Sequence, residues 1–140
     1  MTDAFDADVL IYAADTRHAL GAHIRRLFEA PTEPTSNPQA GVGSVLLIPE
    51  VFIKPTREGR ADEVDALLTF VARLDLFPVD PATAELATAL GAKYRLRPMD
   101  AVHLGTAVRV GAERFITNNR RDFDPATIEE IEIVHPDDLA

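Results

Sequence analysis

The sequence contains no cysteine. That excludes disulfides and every metal site built on thiolates. Its four histidines are scattered at positions 18, 23, 103 and 135, so a zinc site made of histidines is not expected either. No apolar run approaches the roughly 18 to 20 residues needed to cross a bilayer. The first residues, MTDAFDAD, are acidic where a secretory signal is basic. A soluble, cytoplasmic protein with no membrane contact is the expectation. Positive charge is also scarce: 14 Lys and Arg stand against 23 Asp and Glu, for a net charge of −9. General nucleic-acid binders carry a basic surface. This balance points instead to cations or a basic partner, although a local arginine cluster can coexist with an acidic total.

With 140 residues, 46% of them hydrophobic, the chain has enough apolar material for one core without staples. It shows no internal repeat and no interdomain linker, so residues 1–140 are read as a single domain. The main interruption is 31–43, PTEPTSNPQAGVG, with three prolines and two glycines. Such residues punctuate chains, and the stretch reads as a surface loop.

Periodicity supplies the elements. Residues 3–6 lead into VLIYAA, an apolar run that suits strand or helix. Residues 17–30 place Ala19, Ala22, His23, Leu27 and Ala30 near one helical face. SVLLI, 44–48, suits a buried strand. Pro49 is placed to open a helix through EVFIKPTREG, which Pro55 should break or kink. Residues 61–73 space Val64, Leu67, Leu68 and Val71 as a helix does. LDLFPV, 74–79, reads as strand. Residues 81–92 read as helix, with Asp80 as a candidate N-cap. Helix over 99–110, then strands RFIT and IEIV, complete the chain. The order β-α-α-β-α-α-β-α-α-β-β implies an α/β fold with helices on both faces of the sheet.

In such sheets ligands bind beyond the carboxyl ends of the strands, and acids collect there. Asp6 ends the first strand, Glu50 follows SVLLI, and Asp122 follows RFIT after a polar turn. Asp100 opens a helix, where the dipole favours an anion. Asp8 joins them or caps the next helix. Carboxylates gathered from distant segments repel one another, and a hard divalent cation relieves that repulsion. An all-oxygen donor set favours Mg²⁺ or Mn²⁺ over zinc. The matching chemistry is hydrolysis of a phosphodiester.

Each acid also has a plain structural reading, as a turn residue or a helix cap. His103, three residues after Asp100 on the same helix face, either shares a metal with it or packs in the core. Thr117 and Asn119 either orient ligands and touch phosphate or serve the turn. Arg120 and Arg121 either touch an RNA backbone or belong to a solvated surface. Lys54, Arg57, Arg60, Arg95 and Arg97 bring the basic residues flanking the acids to seven of 14. Phe28, Phe52 and Phe70 are core residues or part of a partner groove.

These same blocks resemble a known family. FDADVLIYAAD, SVLLIPEVF, LRPMDAVHLGTA and FITNNRRDF occur in the order seen in PIN-domain ribonucleases, of the type that forms the toxin half of VapBC toxin–antitoxin pairs. They span nearly the whole chain. The resemblance implies a three-layer α/β/α sandwich around a mainly parallel sheet, with a helix over DVLIYAA. It implies a Mg²⁺- or Mn²⁺-dependent endoribonuclease of a type II toxin–antitoxin pair, with Asp6, Glu50, Asp100 and Asp122 as metal ligands and catalytic acids. It further implies an RNA substrate, a cognate antitoxin that covers or invades the site, and a homodimer. Three departures stand out. Ala7 replaces the family's usual Ser or Thr, Asn119 stands where some members carry the fourth acid, and 31–43 is long. A binding or regulatory module built on the same acidic pocket, without catalysis, is the alternative.

Overall fold

Strands that are buried on both faces need helices on both sides to cover them. The computed structural model, which describes residues 2–29 and 39–139, has that arrangement. The strands are β1 (Asp3–Phe5), β2 (Gly41–Ser44), β3 (Leu74–Phe77), β4 (Arg114–Ile116) and β5 (Glu132–Val134). The helices are α1 (Ala7–Ala14), α2 (Gly21–Leu27), α3 (Leu47–Arg57), α4 (Ala61–Val71), α5 (Pro81–Tyr94) and α6 (Pro98–Arg109). A 3₁₀ turn, Pro136–Asp138, follows β5. The strands form one sheet in the order β3-β2-β1-β4-β5, and every pairing is parallel.

Alternation along each strand sends side chains to opposite faces. Phe5, Ile116 and Val134 point into one core, which α1, α2, α3 and α4 cover. Ala4, Phe115 and Ile133 point into the other, beneath α5 and α6, with Leu90, Leu104 and Phe123. Burying each large apolar side chain contributes about 1.5–3 kcal/mol. Two cores on a thin sheet are therefore sufficient to hold strands only three or four residues long.

Strand order reverses at β1: the chain moves outward through β2 and β3, then returns to β4 on the other side. Asp3, Ala4 and Phe5 of β1 pair with Arg114, Phe115 and Ile116 of β4. The crevice at the carboxyl ends of these two strands is the switch point where α/β sheets bind ligands. Asp6 follows one strand and Thr117 the other. At the far end Arg114 clamps Asp3 through two hydrogen bonds of 2.7 and 2.9 Å, tying the two strands together.

Several sequence-based boundaries move. VLIYAA is helical, in α1, with Ala7, Val9, Leu10 and Ala13 buried. The second strand is not SVLLI but GVGS, at the end of the stretch read as loop; residues 30–38 lie outside the described residues. Close approach explains the glycines. A Cβ on Gly41 would lie 2.3 Å from the Asp3 carbonyl oxygen, and one on Gly43 would lie 2.5 Å from Leu47 Cδ1. Leu47 and Ile48 then form the first turn of α3, which also holds Pro49 where no backbone donor is missed. The same helix continues past Pro55 to Arg57 before stopping. Arg60 lies beyond α3, at the N-cap position of α4, paired with Glu58 and Glu63. The helix read over 17–30 covers only Gly21–Leu27.

Candidate functional site

Asp6 is the N-cap of α1. Its Oδ1 accepts the Ala7 N–H at 2.8 Å, and its Oδ2 accepts the Thr117 hydroxyl at 2.8 Å. The residue is 4% exposed. Burial raises its pKa and neighbouring Glu50 raises it further, while His103 and the two hydrogen bonds pull it down. A hydroxyl thus does reach Asp6, from Thr117 rather than from position 7, which holds Ala7.

Asp8 is the second residue of α1, in its first turn, and does not cap it. Its Oδ2 accepts the Asn118 N–H at 3.0 Å, joining α1 to the turn after β4. Its Oδ1 is buried and has no partner. Burial, and then the field of Asp6, push the Asp8 carboxyl up to about 7. Asp100 stands in the first turn of α6, behind Pro98, while Arg97 occupies the N-cap position without a capping side chain. Burial raises the pKa of Asp100, followed by Asp6 and Asp122; Arg97 opposes them and Glu50 adds to them. Five acids from four segments therefore share one electrostatic neighbourhood at the carboxyl edge.

The other two acids are engaged locally. Glu50, in the first turn of α3, has Oε2 2.5 Å from His103 Nε2. Asp122 accepts the Asn119 amide at 3.0 Å, and its own N–H donates to Asn119 Oδ1 at 3.3 Å. The turn that carries them is organised by Thr117, whose Oγ1 also accepts the Asn119 N–H at 3.1 Å. Among the described residues no three acidic or histidine side chains already surround one point at ligand distance. Glu50 and Asp122 are each held by a partner of their own, His103 and Asn119.

The donor set nonetheless fits a hard cation. It is all oxygen, it includes one buried oxygen without a partner, and three of its members have pKa values raised first by burial and then by neighbouring acids. Of the basic residues named for RNA contact, Arg120 is paired with Asp137 at 2.8 Å, while Arg121 is exposed beside the turn. Phe28 is buried against Phe5 and Phe70, with ring centroids 5.0 Å apart in each pair, so both belong to packing rather than to a groove. Phe52 also packs on this core.

Two residues were not singled out from the sequence. Asn118 supplies the N–H to Asp8, and its side-chain amide donates to Tyr12 Oη at 3.3 Å. Tyr12 in turn stacks on His18, with centroids 3.9 Å apart. Only the doubled asparagine after RFIT hinted at such a role.

Comparisons with known proteins agree with this architecture. A toxin–antitoxin complex from Klebsiella pneumoniae superposes with a TM-score of 0.70 at 24% identity, covering 97% of this chain and 98% of that one. VapBC2 from Rickettsia felis, bound to a promoter DNA fragment, gives 0.71 at 13% identity over 96% and 98%. Mycobacterium tuberculosis VapC20, a sarcin–ricin loop cleaving toxin, gives 0.63 at 16% identity over 94% and 99%. At these identities the likeness is one of fold. No curated protein sequence matches the chain. The sequence profile of the PIN domain matches residues 4–127, and the chain belongs to that family.

Proposed function

We propose that this PIN-domain protein is a divalent-cation-dependent endoribonuclease and the toxin of a type II toxin–antitoxin pair. The observation that carries the reading is the gathering of Asp6, Asp8, Glu50, Asp100 and Asp122 near the switch point of the sheet, where burial first and neighbouring acids second raise Asp6, Asp8 and Asp100. Asp6, Glu50, Asp100 and Asp122 would hold Mg²⁺ or Mn²⁺. When bound, such a cation supplies Lewis acidity that makes water a nucleophile near neutral pH and offsets charge on a phosphodiester. The protein's own contribution is placement. Thr117 and the α1 N-terminus fix Asp6, Asn118 fixes Asp8, and Asn119 fixes Asp122. Arg121, and Arg97 beside Asp100, add positive charge for an RNA backbone at an otherwise acidic rim.

A partner reading accompanies this one. A groove of about 1060 Å³ runs between the end of α1, α3 and α4, lined by Ile11, Val51, Pro55 and Ala66 among others, and Glu50 lies at its edge. It supports an antitoxin segment that lies across α3 and reaches the acids. Ile53 and Leu68, 58% and 51% exposed, extend the apolar surface nearby and support a second interface, between two copies of the chain. Among the described residues no helix is long and apolar enough to cross a membrane. A cytoplasmic site of action follows from the toxin reading.

The test is cleavage of a labelled structured RNA by purified protein in Mg²⁺, in Mn²⁺ and in EDTA, beside Asp100→Asn. Cutting that needs metal and is lost in the variant supports the assignment. Cutting that persists in EDTA, or in Asp100→Asn at the wild-type rate, overturns it.

A further inference from the structure

Glu50 and His103 come from opposite helical layers. Glu50 lies in α3, whose Leu47 and Val51 belong to the core on one face of the sheet. His103 lies in α6, whose Leu104 and Ala107 belong to the core on the other. Their side chains meet across the sheet edge, with His103 Nε2 2.5 Å from Glu50 Oε2. The imidazole is completely buried, whereas the Glu50 side chain is 31% exposed. A ring locked in the core thus holds a long, part-solvated arm that would otherwise sample several rotamers.

A carboxylate only accepts hydrogen bonds, so Nε2 carries the N–H that Glu50 receives. Nδ1 is buried without a partner, so the one engaged donor of the ring is aimed at Glu50.

We infer that His103 is a positioning residue for Glu50: it pins Oε2, leaving Oε1 available to a divalent cation held with Asp6 and Asp100. This rests on reading the site as a cation centre. Histidine suits the task because its donor sits at the end of a rigid ring, and a partner that orders a ligating carboxylate commonly changes metal affinity by about 10–100-fold. Simple packing would ask only for bulk at position 103. Positioning asks for a donor at the place where Nε2 lies.

Those two demands separate in variants. His103→Leu keeps bulk and removes the donor; His103→Gln restores an N–H at similar reach. The measurement is Mn²⁺ affinity of the full chain by calorimetry, with thermal denaturation in EDTA to confirm that each variant folds. Long-range ¹⁵N NMR of the metal-free wild type reads the tautomer directly. The expected result is affinity reduced about 10–100-fold in His103→Leu, near wild type in His103→Gln, and an Nε2–H signature at His103. Equal affinity in His103→Leu and wild type overturns the inference. So does an equal loss in both variants, or an Nδ1–H tautomer; if His103→Leu fails to fold, His103→Gln and the tautomer decide. Wild-type protein that binds no Mn²⁺ is a different failure: it removes the cation reading itself, and this inference with it.

Discussion

The most demanding consequence of the site concerns Asp8 in the absence of metal. Its carboxyl rises from an ordinary value of 3.8 to about 7, first through burial and then through Asp6. A group with a raised folded pKa binds its proton more tightly in the native state. Its contribution is therefore fully present below pH 4 and is lost as pH rises through about 7. A span of about three pH units, at about 1.4 kcal/mol each, makes the ionised form cost the fold up to about 4 kcal/mol above pH 8. Asp8→Asn removes this term, because an amide oxygen still accepts the Asn118 N–H and no charge is buried. Urea denaturation in EDTA should show the two proteins nearly equal at pH 4.5 and the variant more stable at pH 8. Comparing the pair cancels the titrating groups remote from Asp8, while relief of neighbouring Asp6 and Asp100 is part of the expected gap. Saturating Mn²⁺ should narrow the gap, since a cation near Asp8 offsets a charge that the wild type carries and the variant lacks. A gap that does not change between the two pH values, or a variant less stable at pH 8, would refute the claim that uncompensated negative charge strains this site.

Other perturbations separate chemistry from architecture. Asp6→Asn and Asp100→Asn should each abolish metal-dependent RNA cleavage while leaving the EDTA melting temperature equal or higher, because both carboxyls have raised pKa values; a lower melting temperature would mark them as structural. Thr117→Val strips a donor from buried Asp6 and should destabilise the fold by about 1–3 kcal/mol at neutral pH by urea titration, and weaken Mn²⁺ binding in calorimetry. Gly41→Ala pushes a Cβ against the Asp3 backbone, whereas Gly43→Ala meets only the end of the Leu47 side chain. The first should lose about 1–3 kcal/mol and the second less, and the reverse ranking of urea midpoints would show that the β1–β2 approach is not the constraint.

Element order was readable because helix periodicity and helix starts are local signals. Asp80 caps α5 by accepting the Thr83 N–H at 2.8 Å, and Pro81 and Pro98 stand in the first turns of α5 and α6. The second strand was not readable, because what makes GVGS a strand lies outside it. Gly41 and Gly43 allow β1 and α3 to approach, and a lone window with two glycines next to prolines looks like a loop. VLIYAA was ambiguous for the opposite reason. A helix buried on most of its surface loses the polar stripe that would distinguish it from a strand.

The acids illustrate the same division. Their positions near strand ends and helix starts follow from element order, and that order was legible, although Glu50 lies inside α3 rather than after a strand SVLLI. Their partners were not, since each depends on distances between layers. Glu50 meets His103 only because α3 and α6 cover opposite faces and reach past the same edge. Asp8 meets Asn118 only because β1 and β4 are neighbours in register, which brings the start of α1 beside the turn after β4. Spacing along the chain therefore identifies which carboxylates can collect at the edge. Packing between the layers decides how each is held there, and Glu50, bonded to His103, and the half-satisfied Asp8 are the two places where those local constraints meet the charge of the gathered acids.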